Sequence, residues 1–482
     1  MVIWSNSYRN RLSFSNVSNR LLLTAAGVSL FAAAAVVNEV TVARYLSTNG
    51  TLVPSTIWAI RMLELLVALA GVGILGARSR LATMPTTKLM EGISVGVCAL
   101  YIVLCARYAL LNPWRNWDML PYVASAMSYD DGNIERIHAA TYQAAREAGA
   151  ANLMAGSRYW EDMATNAEHF HQQLPFYQVK PMYVGLIYLG HKAGLSYVTA
   201  SVVISVVSSV LMFCLIAMWL KKFTQGLLWG ALTILSTWAI ALTQTSRLST
   251  PDTLSSFLIL VSLYLLMETP SKVLGYCVLV LSLLARPDNI LLAMVVIAYF
   301  NFAAPPCLAV TRRWQAVLLV APLALSLVVR HVTGFYGWWT GFAHSFYGWM
   351  VAPAEFSEPF TIPAYMKVFI QVLGFNPVFE RGVAFIGLFL IFTLVTARVR
   401  LRTGSVYSHA AIAFALAVVV RVIMFPEWED RFYVAYYAMS VICFVAVWRT
   451  SRLSPTTESS SPAAVAVLGN ALDRQITDIH VS

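Results

Sequence analysis

The chain alternates between long apolar runs and short polar connections along most of its 482 residues. Most runs approach the ~20 residues that an α-helix needs to cross the hydrocarbon core of a bilayer. Two shorter runs are separated by Pro287, so we interpret them as a hairpin of short helices. The pattern predicts an all-α, polytopic membrane protein with about twelve transmembrane helices. The runs occupy 21–43, 56–76, 90–111, 197–220, 226–244, 253–267, 272–285, 288–303, 314–332, 381–397, 406–425 and 432–449.

Longer polar stretches interrupt this pattern. Residues 112–182 contain Ala-, Glu- and Tyr-rich segments and are predicted to form a partly helical loop. Residues 333–380 are rich in Trp, Tyr, Phe and Pro, which is typical of a segment at the membrane interface. The Ser-, Thr- and Pro-rich end of the chain is predicted to be disordered. We therefore divide the chain into an N-terminal cytoplasmic segment with two extra transmembrane helices (1–89), a transmembrane module (90–450) and a cytoplasmic tail (451–482).

Composition agrees with a membrane protein, because 59% of the residues are hydrophobic and 12% are charged. A soluble domain usually carries about twice as much charge, so a series of soluble domains is excluded. The net charge of +10 is explained by cytoplasmic loops, where Lys and Arg collect. No basic patch is interleaved with aromatic residues, so nucleic acid is not an expected partner. The six cysteines lie in or beside apolar runs without a CxxC motif, as small core residues do.

Lys and Arg are unevenly distributed over the connections. Three arginines precede the first run, and the connections on the same side carry further positive charge. Positively charged connections stay in the cytoplasm, so both chain ends are predicted to be cytoplasmic, with residues 112–182 and 333–380 outside. The first run also resembles the apolar region of a cleaved signal peptide, although it is long for one. The orienting residues are Arg9, Arg11, Arg20, Arg78, Arg80, Lys88, Lys221, Lys222, Lys272, Arg312, Arg313, Arg398, Arg400, Arg402, Arg449 and Arg452.

Five stretches within the predicted outer connections bring charged residues close to the ends of apolar runs. Charged groups at membrane depth are costly and usually face a bundle interior or an aqueous cavity. We therefore expect a cavity that contains carboxylates and several cations. The alternative is that each residue caps a helix at the water boundary. The residues are Asp118, Lys180, Arg247, Asp252, Arg286, Asp288, Glu427, Glu429, Asp430 and Arg431.

A cavity of this kind suits the transfer of a group from a lipid phosphate. Lys and Arg can bind the anionic phosphate and stabilise charge on the leaving group. A carboxylate can accept the proton of the attacking hydroxyl or amine, and Asp118 is the best candidate for this general base. Asp252 is a second candidate catalytic residue, which would orient the acceptor or help to hold a divalent cation. A divalent cation is therefore a candidate cofactor, and no other cofactor is implied.

Five short motifs follow one another through these connections. They are Trp117-Asp118-Met119-Leu120-Pro121-Tyr122, Lys180-Pro181-Met182-Tyr183, Asp252, Ala285-Arg286-Pro287-Asp288 and Glu429-Asp430-Arg431-Phe432-Tyr433. In this order they resemble the motifs of the GT-C superfamily of polyprenyl-phosphate-sugar-dependent glycosyltransferases. That superfamily includes the dolichyl-phosphate-mannose enzymes and the bacterial aminoarabinose transferases of lipid A. The resemblance covers about residues 90–450 and implies a GT-C-like catalytic module there.

The resemblance implies roles for individual residues. It implies that Asp118 is the catalytic base and that Lys180 contacts the lipid phosphate. Besides Lys180, the candidate phosphate-binding residues are Arg247, Arg286 and Arg431. The candidate substrate contacts are Tyr122, Asp288 and Glu429.

Three departures from the family pattern bear on these roles. Met182 stands where a second proline is common, and two helices precede the usual first one. Asp118 lacks an adjacent acidic partner, because Asn116 precedes Trp117. The use of a metal ion is therefore left open.

The expected function is the transfer of a sugar from a polyprenyl-phosphate donor to a glycan, lipid or protein acceptor on the periplasmic or luminal face. The expected location is the lipid bilayer of a bacterial inner membrane, or of the endoplasmic reticulum in a eukaryote. One alternative is a transporter or flippase, with charges nearer the midplane and discontinuous helices in paired halves. Another is a polysaccharide polymerase or ligase that relies on outer-loop arginines.

The charge distribution predicts which side of the membrane each loop occupies. We expect an impermeant thiol reagent on intact cells to label a cysteine placed at Asn152 but not one placed at Ser79, in a variant without native cysteines. Permeabilised cells serve as the control, in which both positions should react. Labelling at Ser79 but not at Asn152 in intact cells would invert the topology.

Overall fold

A computed structural model of the protein describes residues 87–375, 405–427 and 429–453. Within these ranges all regular elements are helices and no β-strand occurs. Four helices are long and apolar enough to cross a membrane: α1 (Thr87–Leu111), α8 (Tyr197–Phe223), α14 (Arg312–Thr333) and α17 (Val406–Met424). This supports the prediction of an all-α membrane protein.

The remaining helices connect and surround these four. Between α1 and α8 lie α2 (Met119–Met127), α3 (Ile134–Glu147), α4 (Arg158–Thr165), α5 (Ala167–Gln173), α6 (Pro175–Gln178) and α7 (Pro181–Lys192). After α8 come α9 (Leu227–Ala239), α10 (Leu242–Thr245), α11 (Asp252–Glu268), α12 (Lys272–Leu281) and α13 (Asn289–Phe302). After α14 come α15 (Trp338–Phe346) and α16 (Ile362–Phe375), and α18 (Val434–Leu453) follows α17. Short 3₁₀ turns occupy Ala151–Met154, Ser282–Leu284, Pro306–Leu308, Pro353–Glu355 and Asp430–Phe432.

Three of the twelve predicted runs (21–43, 56–76 and 381–397) lie outside the described residues, as does most of the predicted disordered tail, 451–482. The other nine runs are helical in the structure. The short hairpin is also present, because α12 and a 3₁₀ turn end just before Pro287 and α13 begins just after it.

The run at 226–244 corrects the expectation of one continuous helix. Helix α9 ends at Ala239, and α10 begins at Leu242. Between them Ala241 adopts a left-handed conformation with φ of 55°. A residue with a Cβ atom in this conformation is disfavoured by about 1–2 kcal/mol, so the surrounding packing imposes the break. The apolar run therefore contains a turn that its composition does not predict.

Burial divides the four long helices into two central and two peripheral ones. In the most apolar part of α8 and of α17, 56% and 50% of the residues are buried, against 11% in α1 and 17% in α14. The central helices share a core with α11, α13 and α18 that includes the fully buried Trp219, Phe300 and Phe414. On α1 and α14 large apolar side chains such as Leu100 and Val332 are exposed. A wide apolar surface of this kind is typical of helices that face lipid.

The segment between α1 and α7 contains several short helices with their own core. We call it the outer helical unit, because residues 112–182 are predicted to form a partly helical loop outside the membrane. Asn133, Ser157 and Asn166 begin α3, α4 and α5, and each side chain accepts a hydrogen bond from a backbone N–H of the first turn. Such caps stabilise short helices at their N-termini. The amphipathic helices then bury Met163 and Phe170 against α2.

Helices α1 and α9 approach closely at Ser94 and Gly230. The Ser94 hydroxyl donates to the carbonyl of Gly226 at 2.9 Å, and the Cys98 thiol donates to the carbonyl of Gly230 at 3.7 Å. A Cβ atom added at Gly230 would lie 2.9 Å from the Ser94 Cβ atom. Small residues allow membrane helices to approach to this distance, so the crossing depends on Gly230.

We expect Gly230→Ala to separate α1 from α9 and to destabilise the protein by about 1–3 kcal/mol, the usual effect of overpacking. The measurement is thermal unfolding of the purified protein in detergent. Gly96→Ala on α1 is the matched control, because a Cβ atom there meets nothing within 4 Å. Equal melting temperatures for the Gly230→Ala variant and wild type would show that the crossing is loose.

Candidate functional site

A cavity of about 1050 Å³ lies where α2, α7, α11, α13 and α14 meet the connection between α17 and α18. Residues from all five charged stretches of the predicted outer connections line it. Eight of the nine candidate site residues are among them: Asp118, Tyr122, Lys180, Asp252, Arg286, Asp288, Glu429 and Arg431. Residues that are distant in sequence are thus brought together at one end of the helices.

Helix N-termini position most of the charged groups. Asp118 directly precedes α2, Asp252 is the first residue of α11, and Asp288 directly precedes α13. A carboxylate is favoured there by the partial positive charge of the helix end. Lys180 directly precedes α7, where the same helix end disfavours a cation. The position of Lys180 is therefore unfavourable for the helix.

Arg286 lies at the centre of an ion-pair network. Its guanidinium donates two hydrogen bonds to Asp288, from Nε at 2.9 Å and from Nη2 at 2.8 Å, and a third to Asp252. Asp288 also accepts from Arg421, and Asp252 accepts from Thr250 Oγ1 at 2.6 Å. Only 2% of the Asp252 side chain and 3% of the Arg421 side chain are exposed. Each of these buried charges therefore has a partner of opposite sign.

Arg431 extends the network to the other side of the cavity. Its Nη1 atom donates to Asp118 Oδ2 at 2.8 Å and lies 4.0 Å from Asp252 Oδ2, while its Nε atom donates to Glu429. The ring of Phe432 lies beneath the guanidiniums of Arg286 and Arg431, whose carbon atoms are 4.3 Å and 4.8 Å from the ring centroid. Cation–π contacts of this kind reduce the cost of removing an arginine from water.

Asp118 is bound on both oxygens. Asn116 Nδ2 donates to Oδ2 at 2.9 Å, beside Arg431, and the Tyr177 hydroxyl donates to Oδ1 at 3.1 Å. Burial alone would raise the pKa of Asp118, but the charges of Arg431 and Lys180 and these hydrogen bonds outweigh it and lower the pKa. The side chain makes no capping hydrogen bond to α2. The alternative in which Asp118 only caps this helix lacks its essential contact.

Lys180 differs from the arginines, because it forms no ion pair with any carboxylate of the described ranges. Its Nζ atom donates to the carbonyl of Phe176 at 3.1 Å and lies 5.0 Å and 4.8 Å from the ring centroids of Tyr122 and Tyr177. Burial, together with the nearby charge of Arg286, lowers the pKa of Lys180 to about 8. Lys180 thus supplies a positive charge that an anion in the cavity could neutralise.

Arg247, the ninth candidate, does not line this cavity. Its Nε atom donates to the carbonyl of Asn112 at 2.6 Å, and its guanidinium lies 5.0 Å from the ring centroid of Tyr108. The backbone carbonyl of Arg247 also accepts from Trp114 N–H at 2.8 Å. These contacts tie the connection before α11 to the end of α1.

The structure adds three residues that the sequence analysis missed. Arg421 lies inside α17, and a lone arginine within an apolar run was the available signal. Arg330, in the last turn of α14, lines the cavity and forms no ion pair in the part of the chain described. Tyr177, the hydrogen-bond donor to Asp118, also lines the cavity, and a tyrosine in an aromatic loop carried no distinguishing signal.

His344 of α15 also faces the cavity. Its Nδ1 atom accepts from Met350 N–H at 3.1 Å, so the ring proton is on Nε2. The ring stacks on Phe176 at 4.9 Å between centroids. Burial lowers the pKa of His344 to about 4, although the charge of Asp118 opposes this effect. His344 is therefore a neutral group at neutral pH.

Four carboxylates of the cavity are paired with arginines: Asp118, Asp252, Asp288 and Glu429. Among the residues that the structure describes, no group of three or more His, Cys, Asp or Glu side chains is placed to bind a metal ion. Asp162 and His169 form a separate pair at 2.7 Å in the outer helical unit. The candidate divalent cation therefore has no preformed ligand set in these ranges.

Comparisons of the chain with protein-family models, with curated proteins and with solved structures find no match.

The contacts of Arg286 predict the effect of removing it. Arg286→Ala would leave Asp252 and Asp288 without their main counter-charge, and breaking a buried ion pair in this way usually costs about 3–5 kcal/mol. We expect a marked fall in melting temperature in detergent.

Arg136→Ala is the matched control, because Arg136 pairs with Asp131 at 2.8 Å but 72% of its side chain is exposed. Ion pairs on the surface contribute little to stability, so the melting temperature of Arg136→Ala should stay near that of wild type. If Arg286→Ala kept the wild-type melting temperature but lost affinity for a phosphate donor, Arg286 would be a ligand and not a support.

Proposed function

We propose that this protein is a membrane glycosyltransferase that moves a sugar from a polyprenyl-phosphate donor to an acceptor hydroxyl or amine at the outer face of the membrane. The main support for the proposal is that one cavity contains both Lys180, a cation without an ion-pair partner among the described residues, and the ionised Asp118. Lys180 is suited to bind the donor phosphate, and Asp118 is suited to take up the proton of the acceptor.

The phosphate of the donor would bind beside Lys180. A polyprenyl-phosphate sugar carries one negative charge on a phosphodiester, and Lys180 is positioned to neutralise it. The arginines of the network are less available, because Arg286, Arg421 and Arg431 are already paired with carboxylates. Arg330 is a second cation in the lining without an ion pair in the described ranges. Two such cations favour an anion over a neutral ligand.

The reaction follows from these positions. The acceptor oxygen or nitrogen attacks C1 of the sugar, and the bond between C1 and the phosphate oxygen breaks. The electron pair of that bond goes to the phosphate, which leaves as polyprenyl phosphate with an additional negative charge that Lys180 stabilises. The proton of the acceptor moves to a carboxylate oxygen of Asp118. Asp252, bound to Arg286 and Thr250, would support the network and is a less accessible base.

The polyprenyl chain of the donor would lie along α14. Leu325 and Val329 of this helix line the cavity next to Arg330. The adjacent positions Leu327 and Val328 are exposed apolar residues on the surface suited to lipid. A polyprenyl chain could therefore lie in the bilayer against α14 while its phosphate reaches Lys180. Twelve crossings, the periplasmic or luminal position of the cavity and a bacterial inner membrane are parts of the same proposal.

A lipid flippase is the second candidate, because one observation favours it. The helix formed by α9 and α10 is broken at Ala241, and Ala241 lines the cavity. Discontinuous helices beside a binding site are typical of transporters. The two functions differ in outcome: a flippase would move a fluorescent polyprenyl-phosphate sugar across a proteoliposome membrane without releasing the sugar from the lipid. Loss of labelled sugar from the lipid supports the transferase.

Asp118→Asn tests the proposed base. Asparagine keeps the shape and can still accept a hydrogen bond from Tyr177, but it cannot take up a proton at neutral pH. We expect the single-turnover rate at saturating donor to fall by about 10²–10⁴, the usual contribution of positioned proton transfer. Donor affinity should stay within a few-fold of wild type, because Lys180 is unchanged.

Asp130→Asn is the control for this substitution. Asp130 is ion-paired with Lys192 at 2.9 Å on the outer helical unit, away from the cavity lining. Its variant should turn over like wild type. A folded Asp118→Asn protein with a rate within a few-fold of wild type would show that the base lies elsewhere.

A further inference from the structure

One wall of the cavity is aromatic and belongs to the outer helical unit and the connection after α15. Trp117, Tyr159, Trp160 and Trp349 line this wall. The Trp160 and Trp349 rings are nearly parallel, at 13°, with centroids 6.3 Å apart, and Tyr159 lies 5.5 Å from Trp349. Since 55% of Trp349 is exposed, part of the wall presents an open aromatic face.

The same wall contains polar atoms without hydrogen-bond partners. Trp117 Nε1, the Tyr159 hydroxyl and Asn116 Oδ1 are buried, and each is unpaired in the structure. The orientation of Asn116 is fixed, because its Nδ2 atom donates to the Asp118 carboxylate. Only 9% of Tyr159 is exposed, so bulk water does not readily satisfy its hydroxyl. These three atoms are covered by neighbouring side chains, so the surface that the wall presents to the cavity is mainly aromatic.

The wall is held in place by contacts between distant parts of the chain. Gln173 Nε2 donates to the carbonyls of Met350 and Val351, at 3.0 Å each, beside Trp349. Gln173 itself is fully buried. The position of Trp349 opposite Trp160 is thus built into the fold.

We infer that this wall is a subsite for a saccharide ring of the acceptor. A pyranose has an apolar C–H face that packs on an indole and hydroxyl groups at its edge that both donate and accept. The charged groups Asp118 and Arg431 line the same cavity and could bind the hydroxyl groups of a sugar, whereas a polyprenyl chain would remove them from water without replacing those hydrogen bonds. The combination of open rings and charged groups in one cavity therefore favours a sugar over a lipid tail.

The place of the wall suits the acceptor. Trp117 directly precedes Asp118, and its ring lies 6.2 Å from that of Tyr177, which donates to Asp118. A saccharide on the wall would bring a hydroxyl next to the proposed base. Lys180 and Arg330, the proposed anchors of the donor phosphate, line the same cavity but do not belong to the wall. This assignment rests on the proposed function, since it takes the transferase as given and identifies the acceptor as a glycan or glycolipid.

Saturation-transfer difference NMR of the full-length protein in detergent tests the inference, with the methyl β-glycosides of glucose, galactose and mannose as probes. We expect signals from at least one glycoside, strongest for the C–H protons of one ring face. Trp349→Ala and Trp160→Ala should each weaken these signals by about three- to tenfold, the range expected for one aromatic contact. Trp349→Phe keeps an aromatic face and should restore part of the signal.

Trp314→Ala is the matched control, because Trp314 is 43% exposed on α14 and does not line the cavity. Its signals should equal those of wild type. Absence of signals from all three glycosides, or signals that survive both Trp349→Ala and Trp160→Ala, would overturn the inference. A glycoside displaced by polyprenyl-phosphate glucose but not by polyprenyl phosphate would also overturn it, because the wall would then bind the donor sugar.

The binding measurement needs neither a donor nor turnover, so it separates the two claims. A protein that transfers sugar from a lipid but binds no glycoside on this wall loses the subsite and keeps the proposed function. A protein that binds glycosides here but never releases sugar from a polyprenyl-phosphate donor keeps a saccharide site and loses the transferase.

Discussion

A guanidinium and a carboxylate that are buried together are stable only when their attraction and their hydrogen bonds offset the loss of water. Arg286 meets this condition, because three of its donors reach Asp252 and Asp288 and its face rests on Phe432. The pairs join the start of α11, the start of α13 and, through Arg421, the end of α17. Arg431 then ties Asp118 to the connection between α17 and α18. The cavity has its shape because these charges neutralise one another.

The same network separates groups that support the site from groups that are free to act. Arginines with carboxylate partners keep the helix ends together and have little charge left for a ligand. Lys180, at the unfavourable end of α7 and without such a partner in the described residues, is different. Asp118 is kept ionised by its neighbours, which makes it a constant proton acceptor although a weak one. The proposed chemistry therefore falls to Lys180, whose charge lacks a carboxylate partner in the described residues, and to Asp118, which its neighbours keep ionised.

The sequence predicted the helices well, because an apolar run of membrane length has few alternatives to a helix. It also predicted that five charged stretches would line one cavity, since charge at the ends of apolar runs needs an aqueous or paired environment. It did not predict the directions in which side chains point. Arg247 points toward Asn112 and does not line the cavity. Arg421 lies within an apolar run. The break at Ala241 carries no sequence signal, because tertiary packing imposes a conformation that alanine does not prefer.

The site residues divide in the same way. The positions of Asp118, Lys180 and Arg286 were predictable from charged motifs beside helices. The partners that define their roles were not, because Tyr177 and Phe176 come from an aromatic loop whose composition is shared by many interface segments. The wall formed by Trp117, Tyr159, Trp160 and Trp349 joins segments far apart in the chain, so only the fold reveals it.

The pH dependence of donor binding tests most directly whether Lys180 binds the donor phosphate. The pKa of Lys180 is lowered to about 8, so its positive charge is present below that pH and is lost above it. The donor phosphodiester does not titrate in this range, so equilibrium binding of labelled polyprenyl-phosphate glucose should weaken by about tenfold between pH 7 and pH 9. Lys180→Arg should bind less well than wild type at pH 7 but with no such decline, because arginine stays charged. Wild-type affinity that is constant from pH 7 to pH 9, or an equal decline in Lys180→Arg, would contradict the assignment of Lys180 to the phosphate.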